Sequence, residues 1–94
     1  MRKYLQKIVP AFIAGSDFEQ SATCSVRHST FFSYATPIAV RRVVDGRVVI
    51  FISSERFSST TSSQQNAIKQ LARDASLVSQ ERIEKLAREA AALG

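Results

Sequence analysis

Cysteine and histidine occur once each in this 94-residue chain, and glycine only at positions 15, 46 and 94. Each scarcity excludes something. Cys24 has no partner for an intramolecular disulfide, and small secreted domains usually depend on several, so a reducing compartment, the cytosol, is the expected setting. Three scattered glycines leave no Gly-rich phosphate loop and no dinucleotide fingerprint, which argues against a nucleotide-using enzyme. The longest uninterrupted aliphatic and aromatic run, Val48 to Ile52, is far below the roughly 20 residues of a membrane span. No membrane partner is expected. The apolar stretch Ile8 to Ala14 behind Arg2 and Lys3 imitates a signal peptide, but it is short, Pro10 interrupts it, and Gln6 and Lys7 set it apart from the first apolar residues. No cleaved signal is expected.

Catalytic equipment is equally sparse. Cys24 and His28 on one strand would share a face, but four residues at ~3.3 Å each separate their Cα atoms by about 13 Å, too far for direct thiol activation. The acids are isolated or accompanied by bases, so no two-carboxylate hydrolytic site and no hard-metal cluster is expected. The chain reads as a non-enzyme with no metal, no cofactor and no small-molecule substrate.

What is present is a modest core and an excess of positive charge. A chain of this length with 45% hydrophobic residues suits a single domain that needs no staple. The net charge is +5. Within residues 21–60, Arg27, Arg41, Arg42, Arg47 and Arg56 stand against Asp45 and Glu55, a local +3. Such a surface attracts phosphate backbones or acidic protein surfaces, or it serves solubility alone.

The strongest local signal is Val44-Asp45-Gly46-Arg47, because Asp-Gly between β-branched runs favours the type I′ hairpin turn. The register that follows pairs Val43 with Val48, Arg42 with Val49, Arg41 with Ile50 and Val40 with Phe51. It places Ala39, Arg41, Val43, Val48, Ile50 and Ile52 on one face, and Ile38, Val40, Arg42, Val44, Arg47, Val49 and Phe51 on the other. Both faces are apolar enough to be covered. Upstream, Ile8 to Ala14 reads as a strand or a short helix broken at Pro10, Gly15 to Ser21 as a loop, and Cys24 to Tyr34 as an imperfectly alternating strand with a break near Ala35. Downstream, Ser62 and Gln65 form a capping-box pattern for a helix from about 63 to 75 with Ile68, Leu71, Ala72 and Ala75 on one face. Ser79 caps a second helix, with Ile83, Leu86, Ala87, Ala90 and Leu93 on one face. The short connection at 76–78 allows a tight pair or one bent helix, and two helices are preferred. The expected fold is α+β: an antiparallel sheet of two to four strands, mainly within 1–57, followed by two C-terminal helices packed on it within 62–93.

Two surfaces could bind. Backbone N–H groups at a helix start attract anions, and Thr60, Thr61, Ser62, Ser63 and Lys69 with Arg56 nearby either hold a phosphate or carboxylate or merely cap the helix. Phe31, Phe32 and Tyr34 precede the arginine-rich hairpin, an interleaving used by single-stranded nucleic-acid platforms. Aromatics at strand spacing also serve as core, but alternation prevents Phe31 and Phe32 from being buried equally unless both sheet faces are covered.

Ser33-Tyr34-Ala35-Thr36-Pro37-Ile38-Ala39 resembles the "SYxTxIA" segment, and Ser58 to Asn66 the "SxTTSxxQN" segment, of a recurrent type of short phage and mobile-element protein of mostly unknown function. A DG hairpin lies between them, and the resemblance covers about residues 33–66. Gln64 stands where many such proteins have histidine, so no role of that histidine carries over. The resemblance implies that Tyr34 and Thr36 meet the Thr60-Thr61-Ser62 turn, with Gln65 and Asn66 bonding between helix and sheet around the Asp45-Gly46 hairpin. It also implies a setting in which small non-enzymatic proteins occupy host complexes, CRISPR effectors included. The expected function is binding of nucleic acid or a host nucleoprotein complex through Arg41, Arg42, Arg47 and Arg56. The alternative is a protein-binding or self-assembling homodimer.

Overall fold

The computed structural model describes residues 2–21 and 23–93, and of Gln20 and Ser21 the backbone alone. The chain runs α1 (Leu5–Ala14), β1 (Phe18–Ser21), β2 (Cys24–Arg27), β3 (Thr30–Ser33), β4 (Thr36–Val44), β5 (Arg47–Ser53), α2 (Ser59–Leu71), β6 (Ser76–Val78) and α3 (Gln80–Leu93). The six strands form one sheet in sequence order. Five pair antiparallel, and β6 pairs parallel to β5. The class is α+β, but two to four antiparallel strands followed by two helices is corrected to a six-stranded mixed sheet with three helices.

Each difference has a local cause. Leu5, Ile8, Val9 and Phe12 are all buried along one side of α1, the spacing of a helical face. Pro10 lies on the exposed side, where a missing N–H is least damaging, so it sits inside the helix rather than ending it. The helix stops at Gly15, whose φ is +83°. Gly15 N–H bonds Phe12 O and Ser16 N–H bonds Ala11 O, the paired bonds of a Schellman motif. Of the expected loop 15–21, only the first three residues lie outside β1. The segment 24–34 is two strands, reversed at His28 and Ser29, both at positive φ. At 76–78, the crossover through α2 returns the chain beside β5, and Ser54 N–H bonds Val78 O at 2.8 Å. The link between the last two helices is therefore a strand.

α2 begins four residues before the expected start. Its cap is Ser58, whose Oγ accepts from Thr61 N–H at 3.4 Å, so the Ser62–Gln65 capping box is not used. Ser79 caps α3 as expected, accepting from Arg82 N–H at 3.2 Å.

The helices cover both sheet faces. Below α1 and α2 lies the main core, including Ile8, Phe12, Val26, Phe31, Ile52 and Ile68. Phe12 and Phe31 meet edge to face with centroids 5.7 Å apart, a favoured aromatic geometry. Below α3 lies a smaller cluster of Val40, Ile83 and Leu86. Ile38 departs from its expected face: a bulge opposite Phe31 and Phe32 lets Ile38 and Ala39 both join the α1–α2 core. An extra residue in one strand resets the alternation.

Candidate functional site

The hairpin forms in the expected register. Asp45 and Gly46 have φ of +53° and +77°, the signature of a type I′ turn. Its arginines do not form one patch. Arg41 points under α1 and donates through Nε to Ile13 O at 2.8 Å, satisfying a carbonyl at the helix C-terminus where a cation is favoured. Arg42, on the opposite face, donates through Nη2 to Leu86 O at 3.3 Å and to Glu89 Oε1 at 3.0 Å. Both guanidinium groups thus fasten helices to the sheet. Arg47 and Arg56 are exposed, at the hairpin tip and in the β5–α2 connection.

Ser62, Ser63, Lys69 and Arg56 line one polar hollow of about 570 Å³ near the start of α2, together with Gln65 and Asn66. Glu55 lines it too, so an entering anion would meet a carboxylate as well as two cations. Thr60 is half-buried outside this lining. Thr61 is buried and turned inward, hydrogen-bonded through Oγ1 to Ser33 Oγ at 2.8 Å. The strand residue that meets the α2 turn is therefore Ser33, while Tyr34 and Thr36 are exposed. Gln65 does bond between helix and sheet, donating through Nε2 to Ser53 O at 3.1 Å and Glu55 O at 3.3 Å. Asn66 is exposed. Gln64, fully buried, donates to Thr23 O and Tyr4 Oη at 3.3 and 3.5 Å.

Cys24 is buried in the main core. Burial pushes its thiol above the ordinary value, and a hydrogen bond with Thr23 only partly opposes this, so the reactive thiolate is disfavoured. His28 is exposed at the far end of β2. Among the described residues, no three His, Cys, Asp or Glu side chains are grouped to hold a metal ion, and no helix is long and apolar enough to cross a membrane.

The sequence names Phe31, Phe32 and Tyr34 as a stacking platform beside the arginine-rich hairpin, but the structure sets Phe32 and Tyr34 beside Arg27 and His28 instead, on the α3 side of the sheet. α3 packs chiefly across β4 and β5, leaving the β2–β3 hairpin open on that face. Ser25, Arg27, His28, Phe32, Tyr34 and Ala35 line a groove there of about 430 Å³. Phe32 and Ala35 continue into a second groove of about 450 Å³ against α3, bounded by Pro37, Ala87 and Arg88. Phe32 is half-buried and Tyr34 is 55% exposed, whereas Phe31, on the other face, is core. Arg27 is held by an exposed ion pair with Glu19. Of the four non-glycine residues at positive φ among the described residues, His28, Ser29 and Tyr34 sit in the two turns that bound this groove. Such conformations cost free energy and concentrate at functional sites. The detectable signal was the adjacent pair Phe31-Phe32, which alternation splits between two faces.

No family model, no curated protein and no solved structure matches the chain.

Proposed function

We propose that this protein is a non-catalytic binder of single-stranded nucleic acid, with the open β2–β3 face as its contact surface. The observation that carries the reading is the groove in which half-buried Phe32 and exposed Tyr34 lie beside Arg27 and His28, at the margin of the sheet face that α3 leaves open. Aromatic faces accept unpaired bases by stacking, and a neighbouring arginine attracts the backbone. The α3 wall of the adjoining groove carries Arg88 together with Glu84. The segment resemblance suggests a phage or mobile element acting in the host cytosol, where such a binder occupies the exposed strand of a host nucleoprotein complex. Arg41 and Arg42 are assigned to the fold rather than to contact.

Anisotropy titration of a labelled single-stranded oligonucleotide tests this. Phe32→Ala is expected to weaken binding about 5- to 150-fold, because stacking contributes roughly 1–3 kcal/mol per base. Tyr34→Gly is expected to weaken binding while raising thermal stability, since glycine relieves the positive φ. Wild-type affinity in a folded Phe32→Ala protein would remove the assignment.

A further inference from the structure

The polar hollow beside α2 carries groups that the fold does not use. Glu55, Arg56 and Lys69 line it and are exposed, yet none of them forms an ion pair among the described residues. Charges of both signs around one space of about 570 Å³ are thus held apart instead of neutralising each other. Asn66, Ser62 and Ser63 add amide and hydroxyl groups to the same lining, and their side chains make no hydrogen bond among the described residues. Gln65, only 6% exposed, lines the hollow as well. Its Nε2 is tied to Ser53 O and Glu55 O, which fixes the amide plane and leaves Oε1 as an oriented acceptor. Among the described residues, Phe57 is the one apolar member of the lining, and it packs against the main core.

We infer that this hollow is a binding site for a neutral saccharide, separate from the sheet groove and independent of the nucleic-acid reading. The lining selects the ligand by elimination. A simple anion meets Glu55, and a simple cation meets Arg56 and Lys69. An apolar ligand leaves all of these donors and acceptors without partners, which costs free energy. A sugar meets each demand. Its hydroxyls donate and accept at once, so they engage the donors Arg56, Lys69 and Asn66 together with the acceptors Glu55 and Gln65. Planar carboxylate, amide and guanidinium groups present two polar atoms side by side, which matches a pair of vicinal hydroxyls. The C–H face of a pyranose is apolar and rests on an aromatic ring, the part open to Phe57. The volume falls within the roughly 300–1,000 Å³ of small-molecule pockets.

The test is titration of the isotope-labelled full chain with glucose, galactose, mannose and N-acetylglucosamine in turn, followed by NMR. At least one sugar is expected to shift the amides of Ser62, Gln65 and Asn66 saturably while those of Phe32 and Tyr34 stay in place. Glu55→Ala/Asn66→Ala should weaken that binding about 30-fold or more, because a charge-assisted and a neutral hydrogen bond are both lost. Both residues are exposed, and Glu55 holds the turn through its backbone N–H and C=O alone, so the double variant keeps the fold. Phe32→Ala should leave sugar binding unchanged, which separates failure of this site from failure of the groove. No saturable shift with any of the four sugars would overturn the inference. So would wild-type affinity in the double variant, or saturation of the same amides by inorganic phosphate with none by the sugars, the behaviour of an anion site.

Discussion

Gly15 and Gly46 have nearly the same φ, +83° and +77°, in different surroundings. A Cβ at Gly46 would meet nothing within 4 Å, whereas at Gly15 it would lie 2.8 Å from Arg41 Nη1 and 3.0 Å from Cζ. Arg41 cannot swing away freely, because its Nε is bonded to Ile13 O. Gly46→Ala should therefore cost about 1 kcal/mol, the conformational penalty alone. Gly15→Ala should cost distinctly more, and urea denaturation of the two variants measures the gap; equal losses would show that Arg41 yields without penalty. The hairpin register that assigned Arg41 and Arg42 to opposite faces follows from local turn chemistry and was legible. What the guanidinium groups reach depends on helices remote in sequence, and a hydrogen bond to Ile13 O or Leu86 O leaves no mark in the residues around position 41. Side-chain cationic charge therefore suggested a contact surface where two of the four arginines are structural.

At the scale of elements, legibility tracked how local the deciding interaction is. The Asp45-Gly46 hairpin and the Ser79-capped α3 are specified by neighbours within a few residues. The start of α2 was misplaced because Ser58 and Ser62 both stand three residues before a plausible cap partner, and only packing of Thr61 on Ser33 selects between them. β6 is three residues long and carries no periodicity of its own. Proline normally breaks a helix, so the sequence alone does not decide α1, yet the buried face of the helix outweighs that penalty. Pro10 remains a weak point inside α1 and is exposed. Pro10→Ala should therefore stabilise the protein by at least ~1 kcal/mol, part of the roughly 3 kcal/mol that separates the two residues in a helix interior. Thermal denaturation measures it, and an unchanged or lowered midpoint would mean that proline's rigidity in the unfolded chain offsets the gain.

Over the whole molecule, the sheet divides two cores of unequal size. Among the described residues, fourteen buried ones form the cluster under α1 and α2, and three form the one under α3. Hydrophobic stabilisation scales with the apolar area removed from water, and regions with few buried contacts open below the global free energy. Amides of α3 around Ile83 and Leu86 should therefore exchange through a lower-energy opening than those of Ile38 and Ile52, measured by native-state hydrogen exchange; uniform protection would contradict this. The sequence supplied the class and the amount of apolar material but not its division, because the bulge at Ile38 and the return of the chain at β6 decide which face each residue enters. Strand order carries a consequence for how the molecule forms. β2 through β5 are joined by two-residue reversals at His28-Ser29, Tyr34-Ala35 and Asp45-Gly46, so each strand lays down the template for the next at almost no loop-closure entropy. A chain growing from its N-terminus can add these strands one at a time, and the slow steps left are the two helix dockings that join distant segments, α1 with α2 and α3 with β4.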